Sequence, residues 1–203
     1  MASQVYFPTI IDHTKNLAPL SLNRDLKREI LQIQKFDRAG VAWSQKNYHA
    51  GFTSYSSMDK LHLSSPNFAL LEKLIYKKIK SFVHVLEWDI NPNTLRMDTC
   101  WVNIMPKGVH HSFHIHPNSV ISGTYYVDAP DRSSPLNFED PRLSMMMLAP
   151  PKKLKCKNSN KSFVSILPKN RDLVLFESWL RHEVPTNLSK KVRISVSFNY
   201  DIY

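Results

Sequence analysis

Three histidines and one arginine in the second half of the chain have the residue types and spacing of a metal site beside an anion site. His114 and His116 are two residues apart, and His182 follows an apolar run much later in the chain. On a β-strand, side chains two residues apart point to the same face, so the first pair could bind one metal ion. Imidazole binds Fe, Zn, Cu and Ni alike, so these residues predict a metal site without selecting the metal.

Two neighbouring ligands and a distant third would form a facial triad, which leaves three coordination positions open for a co-substrate and dioxygen. His110 and His111 directly precede the pair. Either of them could replace a ligand or hydrogen-bond to one, and the sequence leaves this choice open.

Arg193 lies at the start of the predicted strand Val192–Tyr200. Alternation along that strand places Arg193, Ser195, Ser197 and Asn199 on one face. An arginine beside small hydroxyl groups suits a bound carboxylate, although a solvated edge strand would give the same alternation. If the strands that carry Arg193 and the third histidine are antiparallel neighbours, both side chains face one pocket. A hydrolytic zinc site does not need such a carboxylate clamp, whereas an oxygenase supplied with a dicarboxylate does, and this favours iron.

Two amphipathic helices are expected to precede these residues. The first covers about residues 23–36, and the second begins at Ser65, which can cap it, with Pro66 in its first turn. The segment between them, residues 42–58, is predicted to be a strand or a loop with aromatic anchors. The apolar residues at helical spacing are Leu22, Leu26, Ile30, Ile33 and Phe36, and then Phe68, Leu71, Ile75, Ile79, Phe82 and Leu86.

The second half of the chain contains short runs of alternating apolar and polar residues, which are typical of β-strands. Many short strands after two helices predict a mainly β fold, a sandwich or barrel with helices on one face. We expect a single domain, in which residues 1–95 support a core formed by residues 96–203. The predicted strands are Thr99–Met105, Ser112–His116, Ile121–Val127, Pro135–Phe138, Ser162–Leu167, Asp172–Phe176 and Val192–Tyr200.

Charge and composition narrow the function classes less than the motifs do. The net charge of +10 attracts polyanions, but it also fits a basic protein with solvated lysines. The lysine-rich segment Pro150–Ser162 is expected to be a loop between two strands. No signal-peptide pattern and no membrane-spanning apolar run is visible, so we expect a cytoplasmic protein that does not contact a membrane, with Cys100 and Cys156 as free thiols.

The complete pattern resembles that of the Fe(II)/2-oxoglutarate-dependent oxygenases. Their motif, HxD or HxE followed by a distant His and then RxS, corresponds here to His114-Ile-His116, His182 and Arg193-Ile-Ser195. The similarity extends over most of residues 42–200. The stretches most similar to the 2OG-Fe(II) oxygenases of phages and marine bacteria are WVNIMPKGVHHSFHIHPNSVISGTYYVDAP, LNFEDPR, LVLFESWLRHEVPTN and RISVSFN.

The resemblance implies a jelly-roll core, also called a double-stranded β-helix, with flanking helices. It implies that Fe(II), 2-oxoglutarate and dioxygen take part, and that decarboxylation of 2-oxoglutarate to succinate is coupled to hydroxylation of a substrate. By position in the family pattern, Arg193 and Ser195 bind the distal carboxylate of 2-oxoglutarate, with Tyr126 and Asn103 as further candidate contacts. His116 stands where the family usually has a carboxylate ligand, which makes the metal site more positive.

Two other functions compete with this interpretation. A three-histidine dioxygenase of the cupin type would share the metal site but would not use 2-oxoglutarate. A basic module could instead bind nucleic acid through the loop Lys152–Lys161, with Trp179 or Tyr125 as a stacking surface. The same loop could also recruit an acidic substrate to the iron site, and the sequence does not identify that substrate.

Overall fold

The computed structural model describes residues 3–203, which form ten β-strands and four α-helices. The helices are α1 (Leu20–Phe36), α2 (Arg38–Asn47), α3 (Leu61–Ser64) and α4 (Pro66–Val85). Single turns of 3-10 helix cover Pro92–Thr94, Leu143–Met145 and Asn158–Asn160. The strands are β1 (Ile11–Thr14), β2 (Phe52–Thr53), β3 (Leu95–Met105), β4 (His111–His114), β5 (Ile121–Asp128), β6 (Leu136–Glu139), β7 (Phe163–Ile166), β8 (Leu173–Glu177), β9 (His182–Val184) and β10 (Arg193–Ile202).

The strands form two sheets that pack as a sandwich. The larger sheet has the order β1-β8-β5-β10-β3-β2, and the smaller sheet has the order β4-β9-β6-β7. Neighbouring strands pair antiparallel in both sheets. Met105 and Phe176 of the larger sheet are buried in one cluster with Phe138 and Val184 of the smaller sheet, so the inner faces of the sheets contact each other. The mainly β architecture predicted from the sequence is therefore confirmed.

The helices α1 and α4 cover the outer face of the larger sheet. Their apolar stripes lie in one buried cluster with Ile194, Val196 and Phe198 of β10. The predicted start of α4 is confirmed, because the Ser65 hydroxyl accepts a hydrogen bond from the Phe68 backbone N–H at 3.4 Å. The buried residues of the two stripes are Leu26, Ile30 and Ile33, and then Phe68, Leu71, Ile75, Ile79 and Phe82.

The segment 42–58 was only partly predicted correctly, since a helix occupies its first half. The Asp37 carboxylate caps α2 by accepting a hydrogen bond from the Gly40 backbone N–H at 2.8 Å. The same carboxylate accepts a second hydrogen bond from the Ser57 hydroxyl at 2.6 Å. This cap and the tertiary contact stabilise a helix whose sequence has no clear apolar stripe. The short strand β2 and its aromatic neighbours agree with the strand-or-loop prediction.

His182 and Arg193 share one pocket, as expected, but the strands that carry them are not antiparallel neighbours. His182 begins β9 in the smaller sheet, whereas Arg193 begins β10 in the larger sheet. The strand β8 is separated from β10 by β5. The two side chains nevertheless line one pocket, because they face each other across the sandwich rather than along one sheet. The three-residue strand β9 is too short to give a period of its own, so the sequence could not reveal this sheet change.

The remaining expectations concern loops, thiols and membranes. Pro150–Ser162 contains no strand and forms part of the connection between β6 and β7, as predicted. Cys100 is a buried free thiol, and Cys156 is a half-buried one. Within residues 3–203, no helix combines the length and the apolar character needed to cross a lipid bilayer.

The capping hydrogen bond of α4 can be tested by mutation. We expect Ser65→Ala to lower the free energy of unfolding by about 1 kcal/mol, because the Phe68 backbone N–H loses its acceptor. Urea denaturation followed by circular dichroism measures this change. Ser81→Ala, on the exposed surface of the same helix, is the matched control and should change stability by less than about 0.5 kcal/mol. Equal losses in the two variants would contradict the role of Ser65.

Candidate active site

The pairing of β4 with β9 brings two of the three candidate histidines together. His114 and His182 are direct partners in the antiparallel register of these strands. His116 follows two residues after the end of β4, where its backbone N–H donates to the Ser178 carbonyl at 3.0 Å. One ring nitrogen from each of these histidines lies within 4.8 Å of one ring nitrogen of each of the others. The structure therefore gathers His114, His116 and His182 around one point.

Backbone carbonyls fix the orientation of two of the rings. His114 Nδ1 lies 2.7 Å from the Ser112 carbonyl oxygen, and His182 Nδ1 lies 2.8 Å from the Leu180 carbonyl oxygen. A carbonyl oxygen can only accept, so each Nδ1 carries the proton and donates it. The lone pair of each Nε2 is then free to bind a metal ion, as is usual for histidine ligands.

The third ring is held by side chains. His116 Nδ1 lies 2.5 Å from Asn199 Oδ1 and 2.9 Å from the Ser122 hydroxyl. Asn199 is oriented in turn, because its Nδ2 donates to Thr99 Oγ1 at 3.0 Å. The amide oxygen of Asn199 therefore faces His116, and the arrangement again leaves Nε2 of His116 free.

All three imidazoles are neutral at ordinary pH. Burial lowers the pKa of His116 to about 4 and, together with the neighbouring His114, lowers the pKa of His182 to about 2. Burial also lowers the pKa of His114. Because a metal ion binds imidazole only in its neutral form, these environments suit a histidine-ligated cation.

The two other histidines lie outside this group. His110 is exposed. His111 stacks on His114 with ring centroids 4.7 Å apart, and burial lowers its pKa to about 4. In the described part of the chain, the cluster with metal-binding spacing consists of His114, His116 and His182 alone. This cluster includes His116 and neither His110 nor His111.

A buried arginine lies deeper in the sandwich. Arg193 is 1% exposed, and its Nη1 donates to the Ser195 hydroxyl at 3.2 Å and approaches Met105 Sδ at 3.3 Å. Its guanidinium carbon lies 4.9 Å from the ring centroid of Tyr126. Within residues 3–203, no carboxylate forms an ion pair with Arg193, and its Nε has no hydrogen-bond partner. A buried charge without a counter-ion is unfavourable, so this environment indicates a site for an anion.

Two further polar atoms around Arg193 lack partners among the described residues. They are the Tyr126 hydroxyl, on a fully buried side chain, and Asn103 Oδ1. Asn103 is held by its other amide atom, since Nδ2 donates to the Ser197 hydroxyl at 3.1 Å. Buried polar groups are normally paired, so an unpaired one that lines a cavity points to a polar ligand. Asn103 lines the inner pocket beside Arg193, whereas Tyr126 contacts Arg193 without lining that pocket. Asn103, Arg193, Ser195 and Ser197 line a narrow inner pocket together with the three histidines.

A wider cleft opens on the other side of the histidines. Its volume is about 540 Å³, and the described residues that line it include no Asp, Glu, Lys or Arg. Its walls are largely aromatic, with Trp43 and Tyr48 from α2 and the residue after it, Tyr55 from the loop after β2, and Trp101 from β3. The Tyr48 hydroxyl is buried and has no partner in the described structure. In the sequence, the only indication of this wall was the set of aromatic residues in segment 42–58.

Alternation along the predicted strand Ser112–His116 would turn Ile115 into the interior, and the nucleic-acid interpretation requires an exposed Tyr125, but neither expectation is correct. Ile115 is 46% exposed and lines the cleft instead of packing in the interior, because the chain has already left β4 at this residue. Tyr125 is fully buried and donates a hydrogen bond to Asn23 Oδ1 at 2.8 Å, so it offers no stacking surface for a nucleic acid base. Trp179 is 48% exposed. The structure therefore removes one of the two aromatic residues on which the nucleic-acid interpretation relied.

About half of the chain matches the model of a known protein family. The family model described as "Putative 2OG-Fe(II) oxygenase" matches residues 99–199, a range that contains the three histidines and Arg193. The chain belongs to the superfamily of Fe(II)/2-oxoglutarate-dependent oxygenases. This confirms the family predicted from the HxH, His and RxS pattern.

Solved structures with this fold agree. The 2-oxoglutarate-dependent epimerase SnoN from nogalamycin biosynthesis has a TM-score of 0.70 and 12% sequence identity, with 96% of this chain and 79% of that chain covered. A prolyl-4-hydroxylase from Pseudomonas putida has a TM-score of 0.60 and 13% identity, with coverage of 96% and 94%. HygX from Streptomyces hygroscopicus has a TM-score of 0.63 and 12% identity, with coverage of 96% and 83%. These similarities confirm the predicted jelly-roll fold. No curated protein sequence matches this chain significantly.

Metal binding tests the histidine cluster directly. We expect His114→Ala, His116→Ala and His182→Ala each to weaken Ni(II) binding by more than about 100-fold, because removing a ligand costs more than the roughly 10–100-fold lost with a residue that only orients a ligand. Isothermal titration calorimetry of the metal-free protein measures this affinity.

His110→Ala is the matched control, since its exposed ring lies outside the cluster, and it should bind Ni(II) like the unaltered protein. His111→Ala should lose much less affinity than the three ligand variants. Normal Ni(II) binding by His116→Ala, with loss in His111→Ala, would move the third ligand to His111.

Proposed function

We propose that this protein is a hydroxylase that uses Fe(II), 2-oxoglutarate and dioxygen. The observation that carries the proposal is the buried Arg193, which has no ion-pair partner in the described chain and shares a pocket with three neutral histidines. With a metal ion bound to the histidines, a dicarboxylate between the ion and Arg193 would bring a negative group to each positive end of the pocket. The assignment of individual residues below belongs to the same proposal.

The histidines fit a divalent iron centre. One ring nitrogen from each histidine lies within 4.8 Å of the others, and each ring is oriented through Nδ1 by an oxygen acceptor, which leaves Nε2 for the metal. His114, His116 and His182 would hold Fe(II), and the remaining coordination positions would face the inner pocket and the cleft. Bound Fe(II) would allow dioxygen to oxidise both 2-oxoglutarate, which becomes succinate and carbon dioxide, and the substrate, each of which gives two electrons.

The inner pocket would bind 2-oxoglutarate. Arg193 would form a two-pronged contact with the distal carboxylate, because its Nε is free and its Nη1 is already positioned by Ser195. The hydroxyl of Tyr126 and the Oδ1 side of Asn103 lie in the same buried region without partners in the described chain. Tyr126 can donate to a carboxylate oxygen, whereas Asn103 would need its amide turned or a water molecule between them.

Two solved structures with this fold that contain a metal ion and 2-oxoglutarate support this arrangement. One structure of SnoN is a complex with Fe3+, 2-oxoglutarate and nogalamycin RO, and the structure of HygX contains nickel and 2-oxoglutarate. We infer the same metal class and co-substrate for this chain. The cupin-type alternative lacks any use for the buried guanidinium, which is the reason to prefer the 2-oxoglutarate-dependent reaction.

The primary substrate would enter through the aromatic cleft. The cleft shares His111, His114 and His116 with the inner pocket, so a group within it lies next to the metal site. Residues 96–203 would then form the catalytic core, while residues 1–95 add α2 and β2 as one wall of the cleft. We propose that these two parts act as a single domain.

Arg193→Leu tests the co-substrate assignment. We expect the variant to bind Ni(II) normally and to lose at least about 100-fold in affinity for 2-oxoglutarate, since two hydrogen bonds to a charged group disappear. Anaerobic calorimetry with the Ni(II)-loaded protein measures this affinity, and succinate formation by the Fe(II)-loaded protein gives a second readout.

Lys191→Leu is the matched control, because it removes a nearby exposed positive charge of the same chain segment. It should leave 2-oxoglutarate affinity within about twofold of the original. Unchanged 2-oxoglutarate binding in Arg193→Leu would contradict the role proposed for Arg193, whereas loss of Ni(II) binding as well would indicate misfolding. The cupin-type alternative is favoured if the original Ni(II)-loaded protein does not bind 2-oxoglutarate.

Tyr126→Phe separates a ligand contact from a packing role. Its hydroxyl is buried without a partner in the described chain, so removing it should stabilise the ligand-free protein by up to about 1 kcal/mol. The same change should weaken 2-oxoglutarate binding by about tenfold, because one hydrogen bond is lost. Thermal unfolding with and without 2-oxoglutarate measures both effects. A variant with unchanged 2-oxoglutarate affinity would limit Tyr126 to packing.

A further inference from the structure

The connection between β6 and β7 carries a concentration of free positive charge. Residues 140–162, which we call the 140–162 loop, contain five lysines that are all exposed. In the part of the chain that the structure describes, none of these lysines lies within ion-pair distance of a carboxylate. The nearest acid in the loop, Asp140, is already paired with Arg142 at 2.8 Å. The lysines are Lys152, Lys153, Lys155, Lys157 and Lys161.

The 140–162 loop begins and ends beside the candidate active site. In the smaller sheet Phe138 is the register partner of His182, and the next residue, Glu139, is the partner of Phe163. The ring of Phe163 lies 5.8 Å from the ring of Phe113, which lines the aromatic cleft. The loop therefore leaves the sheet at its metal end and returns there, next to the mouth of the cleft.

Apolar side chains are exposed among the charges of the same loop. Met147 and Leu154 are essentially fully exposed, and Met145 and Leu148 are more than two-thirds exposed. Exposed apolar groups next to free positive charge suit a polypeptide that offers both acidic and apolar side chains. A nucleic acid would use the lysines for its phosphates but would leave most of these apolar side chains uncovered.

The cleft itself, in contrast to the loop, favours an uncharged group. Its lining within the described chain is aromatic and polar but contains no formal charge, so it disfavours an acidic or basic group. Recognition of charge and recognition of the reacting group are thereby separated in space. The positive charge lies on the rim, and the uncharged cavity lies next to the histidines.

We propose that the primary substrate is an uncharged residue within an acidic polypeptide. The reaction of that residue in the cleft rests on the proposed oxygenase function, whereas binding of the polypeptide to the loop does not. The acidic part of the polypeptide binds the 140–162 loop, and the uncharged residue enters the aromatic cleft. The loop is thus an arm that recruits the substrate and does not take part in binding the metal or 2-oxoglutarate.

The experiment compares two variants that lose the same charge. The loop variant replaces Lys152, Lys153, Lys155 and Lys157 with Gln, and the control variant replaces Lys35, Lys73, Lys77 and Lys78, on the helices that cover the outer face of the larger sheet, with Gln. Fluorescence anisotropy measures binding of labelled poly-L-glutamate to each full-length protein. We expect the loop variant to lose at least about tenfold in affinity and the control variant to lose less than about threefold.

Two further probes distinguish the partner. A single-stranded oligothymidylate of matched charge and vesicles containing phosphatidylserine are measured in the same way, and the original protein should prefer poly-L-glutamate to both. A loop-dependent preference for oligothymidylate or for the vesicles would overturn the proposal in favour of a nucleic acid or a lipid surface. Equal losses in the two lysine variants would also overturn it, because general net charge would then explain the binding.

A third variant tests the apolar part of the loop. Met145, Met147, Leu148 and Leu154 are replaced with Ser, and a random copolymer of glutamate and tyrosine serves as the probe. The variant should lose affinity for this copolymer while its affinity for poly-L-glutamate changes little. Ni(II) and 2-oxoglutarate affinities of all variants are measured alongside. If these affinities are absent from the original protein, the oxygenase proposal fails, whereas the recruitment result remains interpretable.

Discussion

The buried guanidinium of Arg193 is the constraint that organises the interior of this protein. A charge that loses its hydration destabilises the fold unless it is compensated, yet the groups that contact it, the Ser195 hydroxyl, the Met105 sulfur and the Tyr126 ring, are all uncharged. The central position of β10 between β5 and β3 keeps the side chain in place despite this cost. A carboxylate bound there, as proposed, would supply the missing charge, and the unfavourable burial in the free protein would become part of the binding free energy. The ligand-free structure would then be preorganised for an anion rather than optimised for its own stability.

Within the described chain, the metal end of the pocket, like the Arg193 end, has no negative group that would balance a positive charge. By its position in the family pattern, His116 would replace the usual carboxylate ligand, and its partners Asn199 and Ser122 are neutral hydrogen-bonding groups. Three neutral imidazoles would leave a bound cation with its full charge. The pocket would then have two positive ends, the cation and Arg193, separated by the neutral amide of Asn103 and small hydroxyls. A dicarboxylate with a negative group at each end matches this distribution, whereas a monocarboxylate would satisfy only one end. If the three histidines bind the metal as proposed, the absence of a carboxylate ligand would increase the complementarity to 2-oxoglutarate.

Predictions from the sequence were correct where the spacing of apolar and polar residues coincides with a chemical motif. The alternation of Arg193 with small polar residues placed it on the inner face of β10, and the Ser65-Pro66 start of α4 was correct, because both depend on local geometry alone. The errors arose where tertiary contacts decide. Only the folded sandwich shows that His182 faces Arg193 from the opposite sheet. The helix α2 depends on a carboxylate cap and a distant serine, and these stabilise a segment that has no clear amphipathic period. Burial of Tyr125 beneath α1 was equally invisible, since an aromatic residue in a strand fits either face of a sheet.

The residues proposed for the reaction and those proposed for substrate recognition lie in different parts of the fold. Most residues proposed for metal and 2-oxoglutarate binding lie on strands that have a neighbour on each side, which fixes their side chains. The exceptions are His114, on the edge strand β4, and His116, in the turn that follows it. The wall of the cleft comes instead from α2 and the edge strand β2, and its geometry depends on Asp37. That carboxylate binds both Gly40 and Ser57, and a side chain at Gly40 would collide with it, since an added Cβ would lie 2.1 Å from Asp37 Oδ2. Trp43 and Tyr48 are thus positioned by a local network that touches none of the proposed metal ligands. Substitutions in this network can reshape the cleft while the inner pocket stays intact, so the recognition of substrate can change independently of the chemistry that all members of the superfamily share.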